Sequence, residues 1–231
     1  MNNLPQTTLW AWERSEDLRQ IDPATTAIAY LDQTIQLGQA IQLDSAEVRS
    51  QPRLHPLAYP TGTQRIAVVR IEIRPGTPLS PHSEEQTVAL LLRSANLPSL
   101  AAFQVDFDAT LSQRAFYRAV LNQLRRQMTA QLPLSITALA SWCSYDDWLA
   151  NLPIDEAVPM LFRMEPERRR ASPSTPDLQI REPLCQNSLG LSTREPWPDN
   201  ITGKRLYIFP DQGWHRDLPL AAHLAAQRNL P

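Results

Sequence analysis

Ala101-Ala102-Phe103-Gln104-Val105-Asp106-Phe107-Asp108 is the stretch on which the fold turns. An extended strand alternates its side chains, so Asp106 and Asp108 share one face while Val105 and Phe107 take the other. Ser112 then opens a helical pattern, with Phe116, Val120, Leu124 and Met128 on one face and Arg114, Arg118 and Arg125 elsewhere. An apolar strand that ends in paired carboxylates and feeds a helix is how α/β proteins build sites at the carboxyl ends of their strands. Two like charges drawn out of water need a cation, a partner or a shared proton.

Working outward, eight short apolar or β-branched runs read as strands: 8–12, 26–31, 65–73, 102–108, 134–142, 157–164, 188–192 and 205–209. Ser83-Glu84-Glu85-Gln86 reads as a capping box ahead of Val88, Leu91, Leu92 and Ala95 at helical spacing. A short helix is expected over 16–20, one or two turns over 146–151, and a C-terminal helix over 218–228. Thr34-Ile35-Gln36-Leu37 and Ala40-Ile41-Gln42-Leu43 alternate around Gly38, which predicts a β-hairpin insertion over 33–60, after the second strand. The stretch 165–187, with its prolines and Arg168-Arg169-Arg170, reads as an irregular Pro-rich loop.

Strands that alternate with helices argue for a mainly parallel sheet. Eight of them in one domain, 1–231, predict a compact, degenerate (β/α)8 TIM barrel, smaller than the usual ~250 residues. An open doubly wound sheet is the other arrangement this pattern allows.

The 231 residues are 42% hydrophobic, enough for a real core, and carry a formal charge of -2. That balance gives no reason to expect nucleic acid as a partner. No apolar run reaches the ~18 residues of a membrane span. Met1-Asn2-Asn3-Leu4-Pro5 lacks the basic and apolar regions of a secretory signal, so a soluble, cytoplasmic chain is the default, with export open if a leader has been removed. Glycine is scarce (6) and proline abundant (21), and no G-x-G-x-x-G or Walker-type loop exists to hold a phosphate. His55, His82, His215 and His223 are scattered, without a zinc-type spacing. Cys143 and Cys185 show no metal-type spacing either, and two thiols do not make a disulfide framework. No metal and no cofactor is expected; a magnesium or calcium site on Asp106, Asp108 and Glu72 is the one alternative the acids allow.

In a barrel, active groups belong where strands end. There the sequence places Trp12 and Glu13, Tyr30, Arg70 and Glu72, Asp106 and Asp108, Trp142, Arg163 and Trp214. Sugars present apolar C–H faces and a ring of hydroxyls, which suit indole rings and charged side chains respectively. Paired carboxylates also suit glycosidic cleavage. The candidate catalytic set is therefore Asp106, Asp108, Glu72 and Glu13, and the candidate substrate-binding set Trp12, Tyr30, Arg70, Trp142, Arg163 and Trp214. Each has a plainer structural reading. Asp106 can pair with Arg70 or Arg163, Arg70 and Glu72 can be a polar layer inside the barrel, Glu13 can cap a turn, and the tryptophans can be core.

Trp10-x-Trp12-Glu13, Arg70-Ile71-Glu72, Val105-Asp106-Phe107-Asp108, Leu134-Ser135-Ile136-Thr137-Ala138-Leu139 and Val158-Pro159-Met160-Leu161-Phe162-Arg163 together resemble a bacterial family described as domain of unknown function 3142. The resemblance runs over nearly the whole chain, and the family label implies no activity. More distantly, the chain is similar to the chitinase-like glycoside hydrolases of family 18. That likeness implies a (β/α)8 barrel whose fourth strand ends in D-x-D-x-E. Asp106 and Asp108 match its two aspartates, but Thr110 stands where the family has its acid. Met160-Leu161-Phe162-Arg163 stands where that family has M-x-Y-D. The departures imply two outcomes. Either Asp108, helped by Glu72 or Glu13, supplies the proton of a carbohydrate-active hydrolase, or the barrel binds glycans without cutting them.

Overall fold

The protein is described here from a computed structural model covering residues 1, 3–39, 46–162, 179–198 and 201–227, the last four of these as backbone alone. Eight strands form a closed, all-parallel barrel: β1 (Thr7–Ala11), β3 (Thr26–Gln39), β6 (Arg65–Ile73), β7 (Ala102–Asp106), β8 (Leu134–Leu139), β9 (Glu156–Met160), β10 (Ser188–Ser192) and β11 (Arg205–Phe209). They neighbour one another in that order, and β1 closes the ring by pairing with both β11 and β3. The open doubly wound sheet is thereby excluded.

Side-chain parity explains why the ring closes. The inward positions of the strands hold Trp10, Ala29, Val68, Ala102, Val158 and Phe209, which form one buried cluster in the lumen. The outward positions, among them Val69, Val105 and Ile136, join Leu91, Tyr117, Val120 and Leu121 of the surrounding helices in a second core. Small inward residues sit beside large ones, which is how a barrel of eight strands fills with side chains instead of leaving a pore. Gly190 shows the tightness of that fill, because a Cβ there would lie 2.6 Å from the Met160 sulfur.

The helix layer is uneven. The helix α1 (Pro81–Ala95) links β6 to β7, α2 (Arg114–Gln127) links β7 to β8, and the short α3 (Ala140–Ser144) follows β8. The last element is α4 (Trp214–Gln227). Among the described residues, no helix links β1 to β3. That link instead carries β2 (Glu16–Asp17), which pairs in parallel with β5 (Leu57–Ala58). The short helix expected over 16–20 is therefore corrected. The Glu16 amide bonds the Pro56 carbonyl, and the Glu16 carboxylate is consumed by Arg14 and the Trp214 amide, leaving nothing to begin a helical turn.

Other boundaries move for identifiable reasons. The first helix is capped at Ser80, not Ser83. Ser80 and Ser83 exchange side-chain to backbone bonds, and Pro81 fills the first turn, where no amide donor is needed. The fifth strand stops at Leu139 and Trp142 falls in α3. Gly38 does not form a turn. It lies inside β3 opposite Glu47 of β4 (Ala46–Pro52), which runs antiparallel to β3, while the second expected arm, 40–43, lies outside the described residues. Most of the expected loop 165–187 lies outside them as well. No helix among the described residues is long and apolar enough to cross a membrane.

Cys143 of α3 and Cys185 form a disulfide with a Cα–Cα distance of 5.9 Å.

Candidate functional site

The site is built by strand register. Arg70 of β6 lies directly opposite Asp106 of β7. Both point inward, and the Arg70 Nη1 donates to Asp106 Oδ2 at 2.7 Å. The other carboxylate oxygen accepts from Thr137 Oγ1 of β8 at 2.7 Å. Asp106 is 4% exposed, and with both oxygens engaged it is a satisfied buried anion. Arg70 Nε also donates to Glu72 at 3.0 Å, and the guanidinium lies 3.9 Å from Asp108. One cation thus gathers three carboxylates. Burial pulls the pKa of this guanidinium down, but the Asp106 charge and the hydrogen bonds to Asp106 and Glu72 more than offset that, holding it above the ordinary value.

Asp108 stands differently. β7 has already ended, and Phe107 turns outward to pack edge-on against Tyr117 at 5.0 Å. Asp108 is left on the mouth side with its side chain 58% exposed. Partial burial, with the Asp106 charge added, pushes its carboxyl above the usual aspartate value, while Arg70 pulls it back. Because the group is more than half exposed, the rise is modest. Thr110, two residues on, precedes a 3-10 turn, and its amide donates to Gln113 Oε1 at 2.9 Å.

On the other side of Arg70 lies Trp12, whose ring is 5.8 Å from the guanidinium carbon. Trp12 in turn neighbours Trp10 at 5.3 Å and Phe209 at 6.3 Å, and Phe162 packs on Phe209 at 4.8 Å. These rings floor the mouth. Beyond Arg70, β3 and β6 continue together to Leu37 and Ile73, forming a raised wall with β4. Glu72 sits on that wall, accepting a bond from Gln36 at 3.4 Å. Leu54, Leu111 and Tyr145 are largely exposed on segments that follow β4, β7 and α3.

The structure thus brings together Trp12, Arg70, Glu72, Asp106 and Asp108. It places the remaining candidates elsewhere. Glu13 accepts from the amides of Leu54 and His55 and from His55 Nδ1 at 2.8 Å. Burial raises its pKa, but the His55 ring and the two amides outweigh that and hold it below the ordinary value. Tyr30 points outward between two core clusters, and burial pushes its hydroxyl up to about 12. Trp142 is buried against Trp148 in the helix layer, ring centroids 4.8 Å apart. Trp214 is buried too, its indole donating to the Trp10 carbonyl at 2.9 Å. Neither offers an open ring face. Arg163 lies outside the described residues. Among the described residues, no group of His, Cys, Asp or Glu is arranged to hold a metal ion.

Sequence reasoning passed over Thr137 and Phe209. The signal was parity: each lies two residues beyond an inward-facing partner, Ser135 and Tyr207 respectively.

Fold and site together define an eight-stranded parallel α/β barrel with a cluster of carboxylates, an arginine and a tryptophan at the carboxyl ends of its strands. Residues 61–162 match the family model described as Domain of unknown function (DUF3142). That stretch runs from just before β6 to just past β9 and includes Arg70, Glu72, Asp106, Asp108 and Thr137. No curated protein matches the chain.

Proposed function

We propose that the barrel mouth receives a carbohydrate and that Asp108 gives a proton to the glycosidic oxygen of a bound substrate. The carrying observation is the contrast between two aspartates two residues apart. Asp106 is buried and fixed by Arg70 and Thr137, whereas Asp108 is more than half exposed with its pKa raised. Pairs of acids whose surroundings set them apart in this way divide proton donation from charge stabilisation. In this reading Asp106 and Arg70 shape the field, Glu72 steadies developing charge from the wall, and Trp12 meets the apolar face of a sugar. The distant resemblance of the sequence to family 18 hydrolases points to the same placement, and because Thr110, standing where that family has its acid, carries no carboxyl, this reading assigns the proton to Asp108.

A second reading rests on its own observation. Arg70 already engages Asp106 and Glu72, and carboxylates held by an arginine suit a receptor that binds glycans without cutting them.

Screening the purified chain against polysaccharides and aryl glycosides separates the two. The hydrolase reading expects turnover, and a loss of at least ~100-fold in Asp108→Asn with an unchanged Tm. Binding without turnover anywhere on the panel selects the receptor. Neither binding nor turnover overturns both.

A further inference from the structure

We infer that this chain forms its Cys143–Cys185 bond in an oxidising compartment and works there. The inference is independent of which ligand the barrel mouth takes.

The chain contains two cysteines, and the fold joins them. Cys143 lies in α3, and Cys185 ends a 3-10 turn over Pro183–Cys185, ahead of β10. Their separation of 42 residues spans β9 and the long link after it. The pairing does not depend on the bond alone. The amides of Arg181 and Glu182 both donate to the Cys143 carbonyl, at 2.9 and 3.1 Å, so the backbone already lays one segment against the other. The Cα–Cα distance of 5.9 Å falls in the usual range for a bridge.

The other employments of paired cysteines fail here. A catalytic or redox-sensing thiol must be reachable, whereas Cys143 is 1% and Cys185 0% exposed, inside the core between barrel and helices. A metal site needs further ligands, and no such group exists among the described residues. What remains is a structural disulfide, and those persist where glutathione and thioredoxin do not reduce them. Closure removes two protons and two electrons from the two thiols. A disulfide-bearing thiol oxidoreductase accepts them by thiol–disulfide exchange, and its own disulfide becomes a dithiol. Because both sulfurs end up buried, the exchange must precede final closure of the core.

The test is made on the native chain. Cells of the natural host are quenched in acid, and the protein is unfolded, alkylated without reductant and digested. The expected product is the bridged Cys143–Cys185 peptide; recovery of both cysteines alkylated overturns the inference. In parallel, the purified oxidised protein should lose on the order of 10 °C in Tm when melted in reductant, as expected for opening a loop of this length. The C143S/C185S variant should be insensitive to reductant. If that variant does not fold, the wild-type melts still decide, since an unchanged Tm in reductant contradicts a structural bond.

Discussion

Arg70 is the residue on which the mouth depends. Its removal in Arg70→Ala would leave Asp106, 6% exposed at the side chain, with Thr137 as its single side-chain partner among the described residues. The expected cost is on the order of 2–3 kcal/mol, below that of a fully buried pair because Arg70 is itself 30% exposed. Urea unfolding measures it directly, and a cost near zero would mean that Asp106 finds another partner. Asp108 makes a prediction in pH. A carboxyl whose pKa is raised in the folded protein donates a proton below that pKa and not above it, so turnover should fall as pH rises through the raised value. The alkaline limb of the rate profile should vanish in Asp108→Asn. Stability carries the same sign. A raised carboxyl pKa means that the folded state holds its proton more tightly than the unfolded chain does. The resulting stabilisation is present at low pH and lost as pH rises through the folded pKa; for so exposed a group it is small.

At the scale of elements, two features set the mouth's shape and each can be perturbed. The helix α1 rests on the reciprocal bonds of Ser80 and Ser83, so Ser80→Ala should cost about 1 kcal/mol. Gly190 lets Met160 cross the barrel interior, and a methyl group there must push the thioether aside. Gly190→Ala should destabilise by roughly 1–3 kcal/mol, as overpacking does, and disturb the aromatic floor through Phe209, 3.4 Å from the same position. Thermal melts and near-ultraviolet circular dichroism check both. These elements also show how far the sequence could be read. β6, β10 and β11 were legible to the residue because apolar inward and outward positions alternate between clear breakers. The Arg70–Asp106 pair was one of two partners the sequence allowed for Asp106, beside Arg163, and strand register places Arg70 directly opposite. The two-residue β2 was not, because its bonds come from 56–58, far along the chain, and no local pattern announces them. Trp142 and Trp214 misled for a related reason. A tryptophan near a strand end looks the same in sequence whether the following turn faces the mouth or folds back into the helix layer.

Taken whole, the barrel has two unlike ends. The amino-terminal end of the lumen holds a buried polar network in which Glu156 accepts from Arg205 at 2.6 Å and from Tyr207 at 2.9 Å. Glu156 is 2% exposed, so Glu156→Ala leaves a buried guanidinium uncompensated and should cost about 3–5 kcal/mol in urea unfolding. It should not change ligand affinity, because the network lies at the opposite end of the strands from Arg70 and Trp12. The carboxyl-terminal end carries open carboxylates, a half-buried indole and an apolar fringe, and it is there that a ligand is expected to sit. Calorimetric titration of an oligosaccharide found to bind the wild type into Trp12→Ala puts that placement to the test. Affinity should fall at least ~10-fold, in line with loss of an aromatic contact at a binding hot spot. Unchanged affinity in a folded Trp12→Ala would put the ligand somewhere other than the mouth of the barrel.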